Sequence, residues 1–182
     1  FSPLGAVLLL VVAILPLVPP FNQEHIIRWL IMGAYLAAQA AAFDFTSGYI
    51  GVVNFGFAAF VGLGAYTSAI LANKAPFLIV QPGISPWIGI WLGALVAGLL
   101  GLGLGVLTLR LRGIFAACMA WFLGIALLGL ARNLVPLTRG ALGLHPPRLL
   151  ETPKNLPYFY IIFAMMLVTY ICLRLVTKTK MG

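Results

Sequence analysis

Residues 43–66 read Phe43-Asp44-Phe45-Thr46-Ser47-Gly48-Tyr49-Ile50-Gly51-Val52-Val53-Asn54-Phe55-Gly56-Phe57-Ala58-Ala59-Phe60-Val61-Gly62-Leu63-Gly64-Ala65-Tyr66. They lie inside an apolar run over residues 26–72, whereas one membrane crossing needs only ~20 residues. The run therefore has to turn, and this is the cluster able to turn it. Asp44, Thr46, Ser47 and Asn54 bring polar groups, while Gly48, Gly51 and Gly56 tolerate backbone angles that other residues avoid. The pattern predicts a broken, glycine-rich segment over 44–56 between two apolar helices. Membrane transporters place pathways and hinges in such segments.

Working outward, the chain is 63% hydrophobic and 8% charged, against about 45–50% and about 25% for soluble domains. With a mean hydropathy of +1.11, it reads as an all-α polytopic membrane protein forming a single transmembrane domain over 1–182. About six transmembrane helices are expected, over residues 4–18, 26–43, 55–72, 86–109, 113–131 and 157–176. Trp29, Trp87 and Trp91 fall where an amphipathic ring prefers the interface. Trp121 falls near the middle of the fifth helix, where a packing role is expected. Small residues recur at helical spacing: Gly89, Gly93, Ala97, Gly101 and Gly105 on the fourth helix, and Ala58, Gly62, Ala65 and Ala69 on the third. Such stripes let backbones approach closely, so Gly62, Gly89, Gly93, Gly101 and Gly105 are expected to pack helices together.

Several function classes fall away on the residues. The net charge is +8, but the eleven Lys and Arg are scattered over helix ends and loops, so no nucleic-acid face is expected. His25 and His145 lie far apart, and Cys118 and Cys172 stand singly in apolar segments. No catalytic residues, metal site or cofactor is expected from them. Gly101-Leu102-Gly103-Leu104-Gly105 sits in an apolar helix, and no Gly-Lys-Ser/Thr occurs. It is therefore no phosphate loop, and any ATP would be hydrolysed by another subunit.

If the Arg110/Arg112 turn and the Lys178/Lys180 end are cytoplasmic, parity makes the amino terminus cytoplasmic and the 132–156 connection external. Five basic residues then lie inside and six outside, so charge bias is nearly silent and the tight basic turns decide. The external connection carries Arg132, Arg139, Arg148 and Lys154 against Glu151. Such a basic rim suits an acidic partner. Asp44 has two readings: a carboxylate capping the helix break by accepting N–H groups around Thr46 and Ser47, or a polar lining of the pathway.

Three pieces in order carry a resemblance. Gly48-Tyr49-Ile50-Gly51 with Asn54-Phe55-Gly56-Phe57-Ala58-Ala59-Phe60 and Gly62-Leu63-Gly64-Ala65-Tyr66 comes first. Leu107-Thr108-Leu109-Arg110-Leu111-Arg112-Gly113 and Leu137-Thr138-Arg139-Gly140-Ala141-Leu142-Gly143-Leu144 follow. Together they resemble the branched-chain amino acid ABC transporter permease family, which includes urea-type permeases. The resemblance implies a membrane subunit that pairs with a second permease subunit, is driven by cytoplasmic ATPase subunits, and receives solute from an external substrate-binding protein. The expected setting is the lipid bilayer of a bacterial-type inner membrane. Phe57 stands where the family usually has a His, and Asp44 where an Asn is common. The substrate thus stays open among branched-chain amino acids, urea and amides.

Asp44, Tyr49, Asn54 and Phe57 are the candidate pathway residues. Phe55, Phe57 and Phe60 suit a leucine-like ligand and suit helix packing equally well. An ion-coupled secondary transporter and a non-transporting assembly subunit remain the alternative functions. The chain is expected to continue past Gly182 into a segment that docks an ATPase and into further helices.

Overall fold

The structure is a computed structural model and describes residues 3–49, 51, 54–73, 82–108 and 114–178. Every regular element among them is helical. Helix α1 is Pro3–Ile14, extended by a 3-10 turn Leu15–Leu17, and α2 is Glu24–Gly48. Then come α3 (Phe57–Ala72), α4 (Pro86–Thr108), α5 (Ile114–Asn133), the short α6 (Val135–Thr138) with a 3-10 turn Gly140–Leu142, and α7 (Leu156–Lys178). Among the described residues, four helices (α2, α4, α5 and α7) are long and apolar enough to span a bilayer. A span needs about 20 residues at ~1.5 Å each to cross ~30 Å of hydrocarbon. Helices α1 and α3 are apolar but shorter, at 12 and 16 residues. The protein is an all-α, multi-pass membrane protein.

The break between α2 and α3 is narrower than the expected 44–56, because α2 continues through Asp44, Thr46 and Ser47 to Gly48. The hydroxyls explain this. Thr46 Oγ1 donates to the Phe43 carbonyl at 2.8 Å and Ser47 Oγ donates to the same carbonyl at 3.0 Å. A hydroxyl that bonds its own helix three or four residues back needs no break to be satisfied. The capping reading of Asp44 is thereby corrected. Asp44 lies within α2 near its carboxyl end with an exposed side chain, where the helix dipole disfavours a carboxylate by about 0.3–1 kcal/mol. The basic turn at Arg110 and Arg112, the stretch around Lys74 and Pro76, and Lys180 lie outside the described residues.

The chain divides into two compact units, Phe1–Ile50 with Thr152–Gly182, and Gly51–Glu151. In the first, α2 and α7 pack through Ile27, Phe159 and Phe163, which are buried, with Leu9 and Ala13 of α1 beside them. The Phe159 and Phe163 rings stack at 5.6 Å. Glu24, in the first turn of α2, accepts the Asn155 backbone N–H at 3.1 Å and also its side-chain amide. Asn155 in turn accepts the Phe159 N–H at the start of α7. The two helices therefore begin at the same end and run parallel. The Tyr160 hydroxyl reaches the Ala13 carbonyl at 3.3 Å, so α1 finishes where α7 starts. Parallel α2 and α7 with an antiparallel α1 are what alternating crossings require.

In the second unit, α3 and α4 form an antiparallel hairpin whose seam is made of glycines. A Cβ placed on Gly93 would strike the Gly64 carbonyl oxygen, and one on Gly89 would lie 3.2 Å from the Ser68 carbonyl. A Cβ on Gly101 would meet Phe60 at 3.8 Å. On α3 the seam is thus Phe60, Gly64 and Ser68, one face away from the Ala58–Gly62–Ala65–Ala69 stripe singled out from spacing. Among the described residues, Gly62 and Gly105 have nothing within 4 Å of an added Cβ, so neither makes there the close helix contact expected of it. On its other side α3 meets α5: a Cβ on Gly56 would overlap the Ala120 carbonyl, and Gly124 faces Ala59. Gly56 pairs with Ala120 and Ala59 with Gly124, so α3 and α5 run parallel.

Without water in hydrocarbon, helices associate by close packing, so these backbone approaches carry the unit. Gly93→Ala and Gly56→Ala should each lower stability by about 1–3 kcal/mol through overpacking against backbone that cannot move aside. Gly103→Ala, where a Cβ meets nothing within 4 Å, should be neutral or stabilising by up to about 1 kcal/mol from helix propensity. Thermal unfolding of the purified protein in detergent orders the three variants.

Candidate functional site

The candidate site is built around α3, because that helix is held by backbone contact on two sides and leaves a third side open. Its start is set by Asn54, whose Oδ1 accepts the Gly56 N–H at 3.0 Å. This side-chain turn satisfies an amide at the helix entry. Asn54, expected in the pathway, is placed here as the residue that turns the chain into α3. Phe57 is the first residue of α3 and half-buried. Asp44 and Tyr49 belong to the other unit: Asp44 is exposed on α2, and Tyr49 ends that helix with its ring 5.7 Å from Phe45. The four candidates are therefore divided between the units, and the structure brings together only Asn54 and Phe57.

The open side of α3 faces a cavity of about 480 Å³ shared with α5, α6 and Leu134 between them. Its walls are Phe55, Gly62, Leu63 and Ile70 on the α3 side, and Trp121, Leu127 and Leu128 on α5, with Thr138 at one end. The three phenylalanines separate here. Phe55 lines the cavity, Phe60 packs against Gly101 of α4, and Phe57 is absent from the lining. Trp121, expected to be a packing side chain, lines the cavity and is 56% exposed. Its sequence signal was its position, far from either interface.

Polar groups in this wall are mostly turned back on the protein. Thr67 Oγ1 donates to the Leu63 carbonyl at 2.8 Å. Thr138 is buried; its hydroxyl hydrogen has the Ala131 and Leu134 carbonyls in reach, and its oxygen accepts the Gly140 N–H at 3.2 Å. One side chain thus closes the end of α5 and begins the next turn. That turn needs left-handed backbone at Arg139 (φ 64) and Gly140 (φ 59). A Cβ on Gly140 would lie 2.9 Å from the Arg132 carbonyl, so only glycine fits. The Leu137–Leu144 motif is therefore a geometric unit: Thr supplies the hydroxyl, and Gly permits the approach.

A second recess of about 390 Å³ lies where α3 stops and α4 starts, with Asn73, Ser85, His145 and Arg148 around it. It shows that Asn73, residues 83–86 and the 145–148 segment lie at one end of this unit.

The fold and cavity define an all-α, multi-pass membrane protein with a lined space beside α3. Comparison with protein families makes the assignment specific: the family described as branched-chain amino acid transport system, permease component, matches residues 25–182. The chain belongs to that permease family, and is thus a transport component and not an enzyme. No curated protein matches it. No solved structure matches it either.

Thr138→Val should destabilise the protein by about 1–3 kcal/mol, because the Gly140 N–H is left without its acceptor. Thr138→Ser should recover most of that. Denaturation midpoints of the two variants decide between the hydroxyl and the methyl as the stabilising group.

Proposed function

We propose that the chain is the membrane permease subunit of an ATP-driven importer for branched-chain amino acids in a bacterial-type inner membrane. The family match across residues 25–182, which includes the 48–66 motif, carries this reading. The matched description names one component of a system. The remaining components are proposed to be a second permease subunit, cytoplasmic ATPase subunits and an external substrate-binding protein. ATP hydrolysis is assigned to the ATPase subunits, since this chain offers no Gly-Lys-Ser/Thr loop.

The orientation rests on placing the tight basic turn at Arg110 and Arg112 in the cytoplasm, and parity then sets the remaining ends. The amino terminus, the carboxyl end of α2 and the 110–113 turn are proposed to be cytoplasmic, with 132–156 outside. That Asn73 and residues 83–86 share one end with 145–148 supports the alternation of crossings, which either orientation would keep. The basic residues Arg132, Arg139, Arg148 and Lys154 would steer an acidic face of the binding protein, since complementary charge raises encounter rates more than affinity. Asp44 and Tyr49, at the carboxyl end of α2, would be exposed to solute near the cytoplasmic side.

Reconstituted with its partners, the transporter should take up leucine only with ATP inside the partner-facing compartment, and ionophores should leave uptake unchanged. Uptake that follows an ion gradient without ATP would instead place the chain among secondary transporters. Cysteine at position 148 should react with an impermeant thiol reagent from outside intact cells. Asp44→Asn should reduce uptake if its charge touches the solute path, and unchanged kinetics would remove Asp44 from that path.

A further inference from the structure

We propose that the cavity between α3, α5 and α6 seats the aliphatic side chain of the transported amino acid, with Gly62 setting its free width. The proposal rests on the permease assignment and adds to it a position and a selectivity residue. The cavity's volume of about 480 Å³ falls in the range of small-molecule sites, about 300–1,000 Å³. It follows α3 from Gly56 to Ile70, about 21 Å at ~1.5 Å per residue, so it runs along the helices as a slot. A slot of that kind suits passage along the membrane normal better than a closed binding pocket does.

The chemistry of the wall selects the guest. Leu63, Ile70, Leu127 and Leu128 present branched aliphatic surface, and the Thr67 hydroxyl is satisfied by its own helix, which turns its polar atom away from the need for a ligand. Two polar side chains in the lining differ: the Tyr66 hydroxyl and the Trp121 indole N–H make no hydrogen bond among the described residues. Neither is a buried unsatisfied atom, and Trp121 is 56% exposed, so both stay open at the wall to meet a guest. A lipid acyl chain would leave both groups unmatched, whereas a zwitterionic amino acid brings acceptors and donors together with an aliphatic side chain.

Gly62 is the point at which width is controlled. It lies in the wall, and a Cβ there meets nothing within 4 Å among the described residues. A larger residue at 62 would therefore enter the slot without disturbing the α3–α4 seam at Gly64. Narrowing a hydrophobic site by a methylene or so discriminates between homologous substrates by about 10–200-fold.

The test uses the complete transporter with its partner subunits and binding protein, and compares L-leucine with L-valine. Gly62→Ala should lower the leucine-to-valine ratio of kcat/KM by about tenfold, and Gly62→Leu should abolish leucine uptake while the protein remains folded. Gly98→Leu on α4, another site where a Cβ meets nothing within 4 Å, should leave the ratio within about twofold. An unchanged ratio in Gly62→Ala overturns the proposal. Photo-leucine, a diazirine analogue, supplies a readout independent of turnover: it should label peptides of α3 and α5, with excess leucine protecting them. Labelling that leucine does not displace, but that a photoreactive phospholipid reproduces, would make the slot a lipid seat and overturn the proposal. If the wild-type transporter shows no ATP-driven uptake of branched-chain amino acids, the importer reading proposed above fails by that result. Leucine-protected labelling then decides the cavity separately.

Discussion

The distance to which two backbones can approach governs the Gly51–Glu151 unit. Hydrocarbon offers helices no hydrophobic gain from meeting each other, so the energy of association comes from packing and from whatever polar contacts accompany it. At Gly93 against Gly64, and at Gly56 against Ala120, the approach is so close that no Cβ fits. These two contacts lie on different sides of α3 and fix its position against both neighbours. The cavity follows from that fixed placement: residues of α3 not used in either seam, Gly62, Leu63 and Tyr66 among them, are left to line it.

The helices themselves were legible because hydropathy is a property of long windows. Residues 86–109 and 113–131 were expected, and the helices run over Pro86–Thr108 and Ile114–Asn133. What spacing could not resolve was which face of a helix does the packing. Along α3 the small residues Ala58, Gly62, Ala65 and Ala69 form as regular a stripe as Gly64 and Ser68 do. The choice between them depends on where the Gly89–Gly93 face of α4 arrives, which is a tertiary fact. Likewise the polar residues Thr46 and Ser47 look like helix breakers until the Phe43 carbonyl is seen to accept from both hydroxyls. Serine and threonine in an apolar helix satisfy themselves locally, and a rule drawn from soluble turns overestimates the break.

The site was less legible than the fold, for a related reason. Asp44, Tyr49, Asn54 and Phe57 were chosen because polar or aromatic residues stand out in an apolar run. Asn54 is spent on starting α3, with its Oδ1 on the Gly56 amide. The cavity is lined instead by residues that look ordinary in sequence, such as Leu127, Leu128 and Ile70, and Trp121 was the one unusual signal. A cavity walled by aliphatic side chains does not stand out in an apolar run, so composition conceals it.

The length of α3 ties these observations together. Its 16 residues cover about 24 Å at ~1.5 Å each, short of the ~30 Å hydrocarbon core. It begins at Phe57, just past Gly56, which sits against Ala120, the seventh residue of α5. With α3 and α5 parallel, the entry to α3 lies about 9 Å along α5 from Ile114, inside the depth that α5 spans. Irregular backbone at that depth persists only where protein covers it or where it lines a cavity. Both conditions meet here: Asn54 satisfies the Gly56 amide, Ala120 covers Gly56, and Phe55 and Gly56 form the wall of the cavity. The turn into α3 thus stands at the edge of the cavity, and the shortness of α3 places that edge within the depth that α5 spans.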